Sequence, residues 1–343
     1  HRADTSRMHL NATDLATLRR LAEDAVEAAS RATRAVHDLP GDISALLKDD
    51  RSPVTIADFA AQAVVAISLA RAGGAPPRLV GEEHPSALEG DAGRPMLEAV
   101  TAAVRVVFPE AATEDVLEAV GHGTAEPGTE GYWTLDPVDG TKGFLRRQQY
   151  AVALAWIEHG APIVGALGCP HLPPDSQGDV EHADATGCIA SAASGAGATL
   201  RAIGTPVESA RSIQAALWNA GEGIVCCESV ESGHSKQDRT AAVLAACGSA
   251  AAPVRLDSQC KYAVVARGQA HAYLRLPTKA GYVERIWDHA AGSLVATEAG
   301  AIVTDIDGKP LDFSHGRGLE ANRGIVAASA ALHPRLIEAI ARS

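Results

Sequence analysis

The chain lacks a surplus of positive charge, a cysteine framework and any abundance of aromatic rings, and each absence removes a class of protein. Lys and Arg number 30 against 42 Asp and Glu, for a formal net charge of −12. That excludes a non-specific nucleic-acid binder, which draws its affinity from excess basic residues. No run approaches the ~18–20 uninterrupted apolar residues of a spanning helix, so no membrane partner is expected. The six cysteines (Cys169, Cys188, Cys226, Cys227, Cys247, Cys260) form no C-x-x-C pair, which argues against structural zinc and for a reducing compartment. Aromatics make up only 4% of the residues, so the core has to be built from Ala, Val, Leu and Ile. No secretory signal is evident, and the first residue is His1. The expectation is a soluble intracellular protein, in the cytoplasm or in a chloroplast or other organelle stroma after loss of a targeting segment.

What is present fits an α/β enzyme. A length of 343 residues suggests about two domains. Leu15, Leu18, Leu21, Ala22, Ala25 and Val26 recur at helical spacing within 14–39. A second apolar-periodic run, Ala57 to Ala70, follows Ser52-Pro53-Val54-Thr55, with Thr55 and Asp58 spaced as a capping box. Residues 95–120 read as helical. Strands are expected at 78–80 and at 132–135, where Asp136-Pro137 ends the second. A hairpin over 150–157 and 162–167, a polar surface loop over 173–186 and a strand over 187–191 follow. From about 206 short strands alternate with helices, which places a boundary between an N-terminal α+β domain, 1–205, and a C-terminal α/β domain, 206–343.

The chemistry concentrates at Asp136-Pro137-Val138-Asp139-Gly140-Thr141. Two carboxylates three apart follow an apolar strand, and Gly140-Thr141 then offers backbone N–H groups at the start of a helical turn. Converging carboxylates hold a hard cation through oxygen, and the adjacent N–H groups suit a phosphate. Alone, Glu82 and Glu83 read as solvated glutamates, Asp288 as a helix cap and Asp58 as an acid favoured by the helix dipole.

Taken together, Gly81-Glu82-Glu83, Trp133-Thr134-Leu135-Asp136-Pro137-Val138-Asp139-Gly140-Thr141 and Trp287-Asp288-His289-Ala290-Ala291-Gly292 resemble, in order and context, the motifs of the inositol monophosphatase superfamily. Further segments are similar to its 3′(2′),5′-bisphosphate nucleotidase branch: Thr141-Lys142-Gly143-Phe144-Leu145-Arg146, Glu231-Ser232-Gly233-His234-Ser235-Lys236, Asp257-Ser258-Gln259 with Lys261-Tyr262, and Tyr273-Leu274-Arg275-Leu276-Pro277. His171 stands where this branch usually has Asn.

The resemblance implies a layered α/β/α/β/α fold with the site between the two domains. It implies Glu82, Asp136, Asp139 and Asp288, with the Val138 carbonyl, as ligands of up to three Mg²⁺ ions. Asp58 and Thr141 would activate the attacking water, and Gly140 with Thr141 would bind the phosphate. His234, Ser235, Ser258, Lys261 and Arg275 would contact the nucleotide. The implied reaction converts 3′-phosphoadenosine 5′-phosphate to AMP and phosphate, with the corresponding phosphosulfate as a second substrate and lithium as an inhibitor. Inositol polyphosphate 1-phosphatase or inositol monophosphatase activity is the alternative. Cys169, which ends one strand, and Cys188, which begins the next, are expected to lie close across the sheet and to form a reversible disulfide that slows the enzyme under oxidising conditions.

Overall fold

Alternation along the strands sorts the apolar residues of this chain into three separate cores, and those cores define the layers. The structure, a computed structural model, describes residues 12–37, 53–230, 237–249, 251–279 and 281–343. The first part comprises α1 (Ala12–Val36), α2 (Pro53–Gly73), β1 (Leu79–Gly81), α3 (Gly90–Val104), α4 (Thr113–Gly121), β2 (Tyr132–Asp139), α5 (Thr141–Leu145), β3 (Ala151–Glu158), β4 (Ala161–Cys169), β5 (Cys188–Ala193), β6 (Ala198–Ala202) and β7 (Arg211–Ile213). The second comprises β8 (Cys226–Glu228), α6 (Gln237–Ala246), β9 (Val254–Arg255), α7 (Cys260–Ala266), β10 (Ala272–Arg275), α8 (Ala290–Glu298), β11 (Ala301–Thr304), β12 (Ile325–Ser329) and α9 (His333–Arg342).

The strands of the first part form a seven-stranded sheet in chain order, β1 to β7. All its neighbours are antiparallel except β1 and β2, which run parallel. The second sheet has five strands in the order β11-β12-β10-β8-β9, mixing parallel pairs around β8 with antiparallel pairs around β12. On β3, Val152 and Leu154 turn to a core shared with α1, α2, α3 and α4, while Ala151, Ala153 and Ala155 turn to a core shared with α7 and α8. On β10 and β12, Tyr273, Ile325 and Ala327 join that second core, whereas Leu274, Val326 and Ala328 pack outward onto α6 and α9. The result is helices, sheet, helices, sheet, helices.

Small side chains let the middle layer approach closely. A Cβ added to Gly165 on β4 would lie 2.9 Å from the Ala291 carbonyl oxygen of α8. Each fully buried leucine, Leu154 among them, contributes about 1.5–3 kcal/mol, so this Ala-rich core gains stability from many close contacts and few large rings.

Several boundaries differ from those expected. α2 begins at Pro53, an ordinary first helical position for proline, so Thr55 lies inside the helix and is not its cap. The stretch 95–120 divides into α3 and α4, with a turn between them. The first sheet continues past residue 205, because β7 pairs with β6 through Ala198↔Ile213. The 173–186 segment is anchored, with Arg267 donating to Pro173, Gln269 to Gly178 and Gln149 to His182. Within α2, Thr55–Gly73 is long and apolar enough to cross a membrane, although Asp58, Gln62 and Arg71 interrupt its apolar run. It is a core helix, however, with Ile56, Phe59, Val64 and Val65 buried in the first core. Cys169 and Cys188 are register partners across β4 and β5, and both are buried free thiols.

Candidate active site

β2 does not stop at Leu135. It runs through Pro137 to Asp139, and the register slips between Asp136↔Ala153 and Asp139↔Ala151, so β2 gains one residue over β3. In a regular strand, residues three apart point to opposite faces. The extra residue resets the alternation, and Asp136 and Asp139 both line one cavity of about 300 Å³. Proline at 137 suits the bulge because it needs no ladder donor.

Other elements deliver their side chains to the same place. Glu82 follows β1, and Asp288 precedes α8; both line the cavity, as do Val138, Gly140, Thr141, Ser258, Lys261 and Arg275. Asp58, on α2, is not part of the lining, but its charge acts on Asp136 and it faces the charges of Glu82 and Glu83. His234 and Ser235 lie outside the described residues.

Gly140 is the joint between the two halves. Its φ of +89° is a left-handed conformation that disfavours side chains, and a Cβ there would meet the Ser258 Cβ at 2.9 Å. Ser258 is itself left-handed, at φ +69°. Gly140→Ala is therefore expected to cost about 1–3 kcal/mol and to displace the Ser258 turn. Denaturant unfolding together with turnover checks this, and wild-type values for both would contradict the close approach.

The carboxylates repel one another. Burial, then the charges of Glu82, Asp139, Asp288 and Asp58, push Asp136 well above the usual carboxylate range. Glu82 keeps an open face to solvent, yet the protein mass around it and the charges of Glu83 and Asp139 push it up to about 7. Asp288 is pushed to about 7 as well, by burial and by the charges of Asp139 and Glu82, against the pull of His289 and Arg275. Asp136 Oδ1 is buried without a hydrogen-bond partner among the described residues. A set of hard oxygen donors that crowd one another and leave one buried oxygen unmatched fits a divalent cation such as Mg²⁺. Glu284, Asp288 and His289 also bring ligand atoms within 4.8 Å of one another. Glu284, however, accepts from Arg275 Nε at 2.8 Å and lies 3.4 Å from His289 Nε2. Burial opposes its charge, but His289 and Arg275 bring it down to about 2. It is already balanced, so of this group only Asp288 is available to an ion in the cavity.

The same cavity also has cationic lining, from Lys261 and Arg275. Lys261 is 2% exposed, donates from Nζ to the Leu256 carbonyl at 3.2 Å and lies 5.1 Å from the centre of the Tyr273 ring. Burial lowers its pKa, while Asp139 and Asp257 support its charge.

Residues to which the sequence reading gave no role hold these parts in place. Gln259 donates its backbone N–H to Asp139 Oδ2 at 2.6 Å, and its side chain bridges the Trp287 carbonyl and the Gly292 N–H. It thereby ties the Asp139 bulge to the start of α8. Asp257 pairs with Arg146 and packs under Gly143. The Asp-Ser-Gln run immediately before a helix was the one available hint.

Comparison with known proteins agrees with this architecture. The inositol monophosphatase family matches residues 12–343. A protein of Emericella nidulans named 3′(2′),5′-bisphosphate nucleotidase is 40% identical, over 94% of this chain and 97% of its own length. One of the same name from Oryza sativa is 39% identical, over 93% and 92%. Among solved structures, an inositol monophosphatase from Anabaena superposes with a TM-score of 0.61 at 20% identity, covering 96% of each chain. CysQ from Bacteroides thetaiotaomicron, described as a bacterial member of the inositol monophosphatase family, also gives 0.61 at 20% identity, over 91% of this chain and 97% of its own.

Proposed function

The chain belongs to the inositol monophosphatase family, and from that premise we propose that it is a magnesium-dependent phosphatase converting 3′-phosphoadenosine 5′-phosphate to AMP and phosphate. The observation that carries this reading is a single cavity lined both by the carboxylates Glu82, Asp136, Asp139 and Asp288 and by the cations Lys261 and Arg275. The carboxylates suit the scissile phosphate with its metal ions, and the basic side chains suit a second phosphate. The names of the relatives at about 40% identity favour a nucleoside bisphosphate over an inositol phosphate.

Glu82, Asp136, Asp139, Asp288 and the Val138 carbonyl would hold up to three Mg²⁺ ions. When bound, the ions neutralise the phosphate oxygens, lower the pKa of a water and stabilise the leaving alkoxide. Thr141 and the backbone N–H groups after Gly140 orient the scissile phosphate for in-line attack. Asp58, buried and facing the charges of Glu82 and Glu83, would be the final acceptor of the proton of the attacking water, and the Thr141 hydroxyl would orient that water and pass the proton on by giving up its own. Ser258, turned into the cavity by its left-handed backbone, offers a hydroxyl to the sugar. His234 and Ser235 are proposed as further nucleotide contacts on the strength of the motif alone. The corresponding phosphosulfate presents the same 3′-phosphate and is proposed as a second substrate.

Phosphate release from 3′-phosphoadenosine 5′-phosphate, inositol 1,4-bisphosphate and inositol 1-phosphate, measured side by side, tests the reading. The nucleotide is expected to dominate, the activity to disappear with chelator, and lithium to inhibit at fixed magnesium by taking one cation position. Preference for inositol 1,4-bisphosphate overturns the substrate, and indifference to both chelator and high-millimolar lithium overturns the metal assignment.

A further inference from the structure

Next to the glutamates that follow β1 lies a fully buried amide that belongs to no motif. Gln62 is on α2 one turn after Asp58, so the two side chains share a helix face, and it is 0% exposed. Its Nε2 donates to the Glu83 carbonyl at 2.8 Å and to the Val120 carbonyl at 2.9 Å. Its Oε1 accepts from the Glu83 N–H at 3.1 Å. The amide thus holds residue 83 by both of its backbone groups, as a neighbouring strand would. It also satisfies a carbonyl in the last turn of α4, where helix carbonyls lack partners within the helix.

The surroundings are shaped to that amide. A Cβ on Gly81 would lie 2.3 Å from Gln62 Oε1, and one on Gly123 would lie 2.1 Å from Nε2. The two glycines are joined to each other, the Gly81 N–H donating to the Gly123 carbonyl at 2.8 Å. The tether opposes a definite force. Asp58 and Glu82 face each other's charge and that of Glu83, and this repulsion pushes the turn after β1 away from α2. An amide resists it by bonding the backbone while adding no charge. A carboxylate in the same place would have no donor for the two carbonyls.

Resting on the cation reading above, we propose that Gln62 is a positioning residue, which fixes the Glu82–Glu83 turn against α2 so that Glu82 and Asp58 keep their separation before a cation arrives. Gln62 touches neither the ion nor the substrate. It acts through the Glu83 backbone, and its contribution is pre-organisation. A ligand already held in place has less freedom to lose on binding, so the amide raises cation affinity without being a ligand.

The test uses the full chain, stripped with chelator and titrated with magnesium alone, and it reads the rise in melting temperature. Gln62→Met keeps the length of the side chain and removes its bonds. Gly123→Ala keeps Gln62 and displaces its amide. Val243→Ala, in the outer core with α6 and α9, controls for lost stability outside the site. All three variants are expected to melt lower than wild type without metal. Half-saturating magnesium is expected to stay at the wild-type value in Val243→Ala and to rise about 10- to 100-fold in Gln62→Met, the usual cost of losing a group that orients a metal ligand. If Gln62→Met does not fold, Gly123→Ala decides by the same criterion. Wild-type half-saturation in the amide variant overturns the proposal and leaves the cation site standing. An equal rise in Val243→Ala assigns the effect to lost stability and overturns it as well. A wild type that magnesium does not stabilise overturns the cation reading, and the proposal with it.

Discussion

Asp139→Asn is expected to lower kcat at least a hundredfold, about 2.7 kcal/mol of barrier, while leaving the fold in place. The substitution keeps the volume and retains an oxygen able to accept the 2.6 Å bond from the Gln259 N–H. What it removes is one negative charge from the wall proposed to hold the cations. In the metal-free protein that charge helps to balance Lys261, a task it shares with Asp257. Burial raises the Asp139 pKa despite the help of Lys261 and the Gln259 N–H, so the carboxylate is a strained group until a cation arrives. Chelator-treated wild type and variant should therefore melt within a few degrees of each other. Added magnesium should raise the wild-type melting temperature more than that of the variant, because a ligand bound to the native state stabilises it in proportion to its affinity. Residual kcat above a tenth of wild type would remove Asp139 from the proposed ligand set, whatever the melting curves show.

How far the sequence could be read depended on whether a feature was local. The Asp136-to-Thr141 run, the glutamates after β1 and Asp288 before α8 each sit at the end of an element, and their residue types announce cation and phosphate chemistry. Why Asp136 and Asp139 act together was not local. It required the register slip against β3, and the spacing alone suggested a strand already ended at Asp136. The layered fold was legible through the resemblance that the motifs carry, whereas the alternation of β3, β10 and β12 that sorts side chains between the layers became visible only with the strands paired. The division of α3 from α4 and the early start of α2 were missed because Ala-rich stretches carry weak boundary signals. Glu284 was missed, and Gln259 and His289 were quoted in motifs without a role, for a different reason. Glu284 looks like a surface acid in sequence, yet it is 5% exposed and balances Arg275 across a turn. Tertiary pairing of this kind leaves no spacing to find.

That pairing also governs how substrate choice must be tested. Arg275→Ala is expected to lower kcat/KM for 3′-phosphoadenosine 5′-phosphate by roughly 10- to 150-fold relative to 3′-AMP, the cost of one charge-assisted contact at ~1.5–3 kcal/mol. The bare loss of activity would be ambiguous. Removing the guanidinium leaves Glu284, which is held at about 2 by His289 and Arg275, with His289 as its remaining partner, and breaking a buried ion pair destabilises a protein by up to about 3–5 kcal/mol. Part of any lost turnover would then be lost fold. The ratio of two substrates on the same preparation cancels that contribution, because both see the same folded fraction. Arg275→Gln combined with Glu284→Gln provides a second control, since it neutralises both partners and keeps amides able to bond each other. The double variant should show the same loss of preference with better stability. Lys261→Met should lower the preference in the same direction, and also slow both substrates somewhat, because the ammonium supports the Asp139 charge. If Arg275→Ala and the double variant lose equally on both substrates, the guanidinium serves the fold or the scissile phosphate, and the second phosphate is read elsewhere in the cavity.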